Sequence, residues 1–198
     1  GLAGDALTDA DDNIAIGTAA LTSDTKGSKT VAIGFNALAS QNFTSATNSY
    51  NTAVGYGAGE VITTGVNNTI IGGLAGDSLT DADYNVAIGF GALSADTLGS
   101  RSVAIGYNAL ASQNFTSATE TKNTAVGIFA GDTVTTGTSN TFLGYNSGGD
   151  ITTGTKNTII GSYSGNSSGI DIRTSSNNIV LSDGDGNPRM HFNSDGDI

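Results

Sequence analysis

The chain has 198 residues, 37% of them hydrophobic, with 29 Gly, one Pro, no Cys and a formal net charge of −11. Charged residues make up 13%, against about 25% in ordinary domains, and Ser, Thr and Asn take their place. The negative charge argues against binding nucleic acid, whose phosphates it would repel; the lack of Cys removes any disulfide framework; and no apolar run approaches the ~20 residues that cross a bilayer.

Along the chain a five-residue phrase recurs, as in "NTAVG" at 51–55 and "NTIIG" at 68–72. It ends at Gly17, Gly34, Gly55, Gly72, Gly89, Gly106, Gly127, Gly144 and Gly161, at intervals of 17 or 21 residues, and a last step of 21 reaches Ser182. Above it lies a super-repeat: residues 1–72 match 73–144 at 49 of 72 positions, and 145–182 follow as a partial copy. Gly1 aligns with Gly73, so the chain is expected to begin inside a longer array. Self-similarity at such periods is the signature of a solenoid.

Within each phrase the residue before the Gly is large and aliphatic (Ile16, Ile33, Val54, Ile71), and the third before it is β-branched (Ile14, Val31, Thr52, Thr69). Ala32, Ala53, Ala87, Ala104 and Ala125 sit between them. Alternation of period two predicts a strand with two unlike faces. The reading assigns the bulky face to the interior and the alanine face to close approach by a neighbour. After the Gly, small residues, a Thr eight on and a Gly ten on predict a tight turn, a second short strand and a second turn. Asn stands four before the Gly in eight of ten rungs and predicts an amide ladder up the stack. The expected fold is all-β: a parallel β-solenoid with two strands per 17- or 21-residue coil and about ten rungs over 1–182. A strand–turn–strand segment at 183–198 closes the end.

A two-strand coil is thin, and ordering each coil costs on the order of 25 kcal/mol. A few aliphatic side chains at ~2 kcal/mol each do not offset that. The chain is therefore expected to form a homo-oligomer through the alanine face; a monomer with an exposed alanine stripe is the alternative.

"NTAVG", "SVAIGYNALA" and "NVAIGFGAL" resemble the head repeats of trimeric autotransporter adhesins, and similar arrays occur in bacteriophage tail fibres. The resemblance covers residues 1–182 and implies a left-handed β-roll in a homotrimer, although the adhesin coils are shorter. The C-terminal "NNIVLSDGDGNPRMHFNSDGDI" is similar to the segment that precedes a self-cleaving intramolecular chaperone in many tail fibres, a resemblance that implies a place in a virion, with the bacterial cell surface as the alternative.

Catalytic residues are not evident, and no enzyme activity is expected: His191 is the only His and has no nucleophile motif beside it. The 16 Asp and two Glu decorate repeated turns without singling out an acid–base pair. "DGDGN" sets Asp183, Asp185 and Asn187 at alternate positions, like the start of a calcium loop. Pro188 stands where that loop needs Gly and the closing Glu is missing, so a plain turn is expected, with Ca2+ as the alternative and no other cofactor. The stronger lead is "NALASQNFTSAT", identical at 36–47 and 108–119. Its extra residues make Gln41, Asn42, Phe43, Thr44, Gln113, Asn114, Phe115 and Thr116 the ligand-contact candidates, amides and hydroxyls around one ring that suit a sugar. The alternative is that both Phe side chains fold back onto the rod. Phe35, Tyr56, Phe90, Tyr107 and Tyr145 form a second aromatic set, expected as an edge or interface ladder.

The expected function is a structural and receptor-binding segment of a trimeric phage tail fibre that recognises a bacterial surface glycan by avidity. Its partners would be two sister chains, a cell-surface polysaccharide or protein and other fibre components, without nucleic acid or membrane insertion. A bacterial surface adhesin head, a purely structural spacer, a depolymerase and a Thr-rich ice binder are the competing readings, in that order.

Overall fold

The computed structural model describes residues 1–198 and shows an all-β parallel solenoid of about ten turns, without a helix. One sheet of eleven strands runs its length: Ile14–Ile16, Val31–Ile33, Thr52–Val54, Thr69–Ile71, Val86–Ile88, Val103–Ile105, Thr124–Val126, Thr141–Leu143, Thr158–Ile160, Ile179–Ser182 and Pro188–Phe192. The first ten pair in parallel in strict register, so that Ala32 sits on Ala53, Ala53 on Ile70 and Ile70 on Ala87. At about 4.8 Å per rung the stack is ~45 Å long. A second parallel strand is confined to four turns, where Gly27–Ser28 pairs with Thr47–Asn48 and Gly99–Ser100 with Thr119–Glu120. A short antiparallel pair, Asn166–Ser167 with Ile170–Asp171, lies in the last long coil, and the rest of the opposite wall is stacked turns.

The recurrent Gly has a specific cause. Gly17, Gly34, Gly55, Gly72, Gly89, Gly106, Gly127, Gly144 and Gly161 have φ between +108° and +145°, a region essentially closed to side chains. A Cβ on Gly89 would also lie 2.4 Å from the carbonyl oxygen of Gly106 one rung on, and every other member of the column meets its successor in the same way. Ser182 ends the column without positive φ, because the next strand runs antiparallel and the register shifts at Leu181/Ser182. Ser is tolerated where no further parallel rung is stacked.

The two faces of the sheet are reversed from the sequence expectation. Ala32, Ala53, Ile70, Ala87, Ala104, Ala125, Phe142, Ile159 and Val180 are fully buried inside the coil. The aliphatic columns point outward instead: Ile16 is 57% exposed, Leu143 47% and Ile160 43%. The reason is room. The interior is shared with residues from the opposite wall, namely Leu21, Leu38, Leu93 and Leu110 four after the Gly, and Ile62, Leu79, Val134 and Ile151 seven after it. Rungs with Leu at the first position carry a polar residue at the second (Asp24, Gln41, Asp96, Gln113), and rungs with an aliphatic at the second carry Gly at the first. One aliphatic side chain per rung fills that space; a Cβ on Gly59 would meet Ile62 at 2.9 Å and Leu38 at 3.0 Å.

The Asn column is a ladder whose bonds run mostly from side chain to backbone, with direct amide–amide bonds from Asn68 to Asn51 at 3.3 Å and from Asn178 to Asn157 at 3.0 Å. Asn51 Oδ1 accepts the amide of Asn68 at 2.9 Å, Asn68 Oδ1 that of Asn85 at 2.9 Å, and Asn85 Oδ1 that of Ser102 at 2.9 Å. Each Nδ2 donates to a carbonyl across the coil, as Asn51 does to Gly65 O at 2.7 Å. Every buried amide group thus finds a partner. At the far end the antiparallel strand Pro188–Phe192 covers the open edge of the sheet, which would otherwise template further pairing.

Candidate functional site

The residue five before each Gly carries φ between +50° and +66° along the whole rod: Asp12, Lys29, Tyr50, Asn67, Tyr84, Arg101, Lys122, Ser139, Lys156 and Asn177. This corner joins the turn wall to the sheet, and the polar residue that follows, Asn in eight rungs and Thr30 or Ser102 in the other two, anchors it. Left-handed backbone normally goes to Gly or Asn. Here Tyr, Lys and Arg adopt it and project outward, and four of the seven Lys and Arg residues of the chain stand in this one column.

Between rungs five and seven the corner opens into the rod's one groove, a cavity of about 200 Å³ lined by Asp83, Tyr84, Ser100, Arg101, Ala118, Thr119 and Glu120. The guanidinium of Arg101 lies over the Tyr84 ring, 5.0 Å from its centroid. Arg101 Nε bonds Glu120 Oε1 at 3.0 Å and Lys122 Nζ bonds Glu120 Oε2 at 2.7 Å. The hydrogen bond from Lys122, with the charge of Arg101, holds the Glu120 carboxyl below its ordinary range. The second copy of the "NALASQNFTSAT" segment supplies Ala118 and Thr119, so the longer rung raises one side of the groove.

Of the ligand-contact candidates, Gln41, Phe43, Gln113 and Phe115 are internal and do not face a ligand. Phe43 is 5% and Phe115 8% exposed, and both Gln side chains are fully buried. The ring of Phe43 packs back over Gly27. Gln41 Nε2 donates to Asp24 Oδ2 at 2.6 Å, its Oε1 accepts Asn51 Nδ2 at 2.8 Å, and Asp24 Oδ1 accepts the amides of Gly27 at 3.0 Å and Phe43 at 3.2 Å. The same set recurs at Asp96, Gln113, Asn123, Gly99 and Phe115. A polar relay therefore seats each long loop on the coil. Asn42, Thr44, Asn114 and Thr116 are the exposed members.

At the C-terminal turn, Asp183 Oδ1 accepts the amides of Asp185 at 3.1 Å and Asn187 at 2.9 Å, while Arg189 covers Oδ2. The backbone bond from Asn187 comes first in holding its carboxyl down to about 2. Asp183, Asp185 and Asn187 thus form an Asx turn closed by a cation, and a calcium ion would have to displace Arg189. No cluster of three or more His, Cys, Asp or Glu side chains gathers elsewhere. His191 Nε2 lies 3.2 Å from Asn178 Oδ1 and, protonated there, donates to the last acceptor of the Asn ladder. Phe35 stacks on Tyr56 at 5.3 Å and Phe90 on Tyr107 at 5.8 Å, an exposed ladder at the turn that follows each strand.

Two carboxyls on the turn wall have raised affinity for a proton: burial, then the charge of Glu60, acts on Asp77, and burial, then the charge of Asp150, acts on Asp132. Paired acids with separated proton affinities are the raw material of glycoside hydrolysis, but the groove lies at another corner. The groove was missed in the sequence because its residues sit at three separate levels, 83–84, 100–101 and 118–120; the one available signal was the concentration of Tyr, Lys and Arg in a single column. No helix is long and apolar enough to cross a membrane. No family model, curated protein or solved structure matches this chain.

Proposed function

We propose that the chain is a rod segment of a trimeric adhesion fibre, a bacteriophage tail fibre whose target is a glycan on the bacterial surface. In this reading the 17- and 21-residue coils wind left-handed, three copies associate along their length, and no reaction is catalysed. One observation carries it: the outward face of the sheet and the turn that follows each strand expose large apolar side chains along the whole rod, interspersed with Thr52, Thr69, Thr124, Thr141 and Thr158. Ile14, Ile16, Phe35, Tyr56, Ile71, Phe90, Tyr107, Leu143, Tyr145, Ile160 and Ile179 are all at least 38% exposed on a single chain. Monomeric soluble proteins rarely carry an apolar patch of that extent. A straight strip in register along the rod is matched in length by another copy of itself. The contact between sister chains is accordingly assigned to the aliphatic face, with the alanine face already used inside each coil.

Light scattering on the purified chain tests the association: the expected particle holds three copies of the 19.7 kDa chain, and a monomer would remove both the trimer and the avidity argument. Attachment is tested by binding to bacterial cells before and after enzymatic removal of their surface polysaccharide. The internal position of Gln41, Phe43, Gln113 and Phe115 favours a second reading, a spacer that sets length while recognition happens elsewhere. Under that reading the chain trimerises but binds no cells.

A further inference from the structure

We propose that the groove between Tyr84, Arg101 and Glu120 is the site at which this rod contacts a neutral saccharide, one hexopyranose ring at a time; the proposal rests on the glycan-binding reading above and locates it. Three observations converge. The first is the set of groups left without a partner. Glu120 uses both oxygens on Arg101 and Lys122, which fixes the guanidinium by its Nε and leaves the terminal nitrogens of Arg101 free to donate. Asp83 Oδ1 accepts the amide of Val66 at 2.7 Å, leaving Oδ2 as an acceptor on the same wall. A fixed donor and a fixed acceptor on adjacent rungs suit a pair of neighbouring hydroxyls, which both give and take hydrogen bonds. Tyr84, 51% exposed, carries the Arg101 guanidinium on one face of its ring and would give its open face to the C–H side of a pyranose.

The second observation is charge. Asp83 and Glu120 balance Arg101 and Lys122, so the groove is locally neutral on a chain of net charge −11. An acidic sugar would meet repulsion from the whole rod with no local excess of cations to repay it. A neutral, hydroxylated ring does not. The volume of about 200 Å³ lies below the range of drug-sized pockets and suits one ring with weak affinity per site.

The third observation is the super-repeat. The equivalent corner one repeat earlier keeps the frame, with Asp11, Ser28, Ala46 and Thr47 in place of Asp83, Ser100, Ala118 and Thr119. It differs at the four chemically distinctive residues, Asp12 for Tyr84, Lys29 for Arg101, Asn48 for Glu120 and Tyr50 for Lys122, and it forms no groove. The same backbone therefore exists in this molecule with and without the site, and the left-handed conformation at 84 and 101 (φ 58° and 66°) is held at 12 and 29 as well (φ 58° and 61°).

That internal pair provides the test. Methyl glycosides of glucose, galactose, mannose and N-acetylglucosamine, with glucuronate as the acidic comparison, are titrated into the full chain at millimolar concentrations and followed by NMR. A neutral glycoside is expected to saturate while shifting the Tyr84 ring and Arg101 side-chain signals, and glucuronate to leave them in place. The variant Tyr84→Asp/Arg101→Lys/Glu120→Asn/Lys122→Tyr copies a corner the fold already accepts. It should weaken binding about tenfold or more, as expected for losing a ring contact and a charge-assisted hydrogen bond. The reciprocal Asp12→Tyr/Lys29→Arg/Asn48→Glu/Tyr50→Lys should create a second site. Saturable binding unchanged by the first variant would overturn the site while leaving the glycan reading intact. Binding of glucuronate alone would overturn the neutral assignment. A wild-type chain that binds neither the glycosides nor polysaccharide-bearing cells would overturn both.

Discussion

The buried relay around Asp96 yields a prediction whose magnitude follows from the direction of each hydrogen bond. Asp96 Oδ1 accepts the amides of Gly99 and Phe115, both at 3.1 Å, and Oδ2 accepts Gln113 Nε2 at 2.5 Å. Gln113 Oε1 in turn accepts Asn123 Nδ2 at 2.7 Å, and Asn123 Oδ1 accepts the Asn140 amide at 2.8 Å. Asp96→Asn keeps shape and removes a buried charge, yet it sets the new side-chain NH2 against Gln113 Nε2, donor against donor. Flipping Gln113 moves the conflict to Asn123, and flipping Asn123 breaks the ladder. Losing a charge-assisted bond and stranding a buried donor costs about 3–5 kcal/mol, and relief of the charge's desolvation returns part of it. A net loss of about 2–3 kcal/mol should lower the melting temperature by roughly 5–10 °C for a chain of this size. In Asp96→Asn/Gln113→Glu the relay's polarity is restored: the amide introduced at position 96 donates to the carboxylate introduced at position 113, which also accepts from Asn123, and Ser102 Oγ rotates to donate, with Thr121 Oγ1 turning from Ser100 O to Ser102. The double variant should recover to within about 1 kcal/mol of the parent. Circular dichroism melts of the four corners of the cycle measure this, with Asp24→Asn/Gln41→Glu as an internal replicate. A single variant as stable as the parent, or a double variant no better than the single, would refute the directional reading.

Gly89→Ala places a methyl 2.4 Å from the Gly106 carbonyl at φ +132°, so a loss of about 4 kcal/mol or more is expected, seen as failure to melt cooperatively, whereas Gly184→Ala, with open space around it, should stay within about 0.5 kcal/mol. Ile71→Asp/Ile88→Asp on the outward face should leave the strand signal of the chain intact and reduce the light-scattering mass to one copy; an unchanged mass would move the contact elsewhere. Burial pushes the Tyr163 phenol up to about 12, and its hydroxyl donates to Ile170 O at 2.7 Å. The folded chain holds that proton where an unfolded Tyr has lost it. Stability from Tyr163 is therefore complete below pH 10 and lost as pH rises toward 12. Difference absorption between the parent and Tyr163→Phe should show this ring ionising last. Burial likewise raises Asp96 above the ordinary carboxylate range, so in that acidic window the native state binds a proton the unfolded chain does not. Stability from this group rises as pH falls through the window, and Asp96→Asn should abolish that slope.

The architecture was legible because the Gly column is a hard steric requirement. A residue at φ between +108° and +145° under a stacked carbonyl admits no Cβ, so the period survives wherever a further rung is stacked and lapses to Ser182 where none is. The Asn column was legible for a related reason: an amide that must accept from the backbone above and donate across the coil has few substitutes. Its two gaps, Thr30 and Ser102, fall where Gln41 and Gln113 enter the interior, and the side-chain hydroxyls of Thr30 and Ser102 accept from those amides at 3.1 Å. Burial of Phe43 was less accessible, since an inserted ring reads equally as a surface contact until Thr25 Oγ1 is found bonded to Phe43 O at 3.0 Å.

Which face of the strand turns inward was the part that alternation alone could not reveal, because period two separates two faces without naming the inner one. The deciding signal lies between columns. Where the central residue grows from Ala to Ile70, Phe142 or Ile159, the residue four after the Gly is always Gly (Gly76, Gly148 or Gly165) and never Leu, although Gly59 and Gly131 stand there beside Ala53 and Ala125 as well. A Cβ at Gly148 would fall 2.4 Å from the Phe142 ring. Only side chains that share one enclosed space compensate volume in this way; the outer aliphatic columns show no such trade with the turn wall. The same reasoning accounts for the exposed Ile and Leu rows. A coil this narrow seats one central residue, most often Ala, and one aliphatic from the turn wall per rung, so bulk beyond that must leave the interior, and the strip it forms along the rod is the surface that the proposed contact between copies would cover.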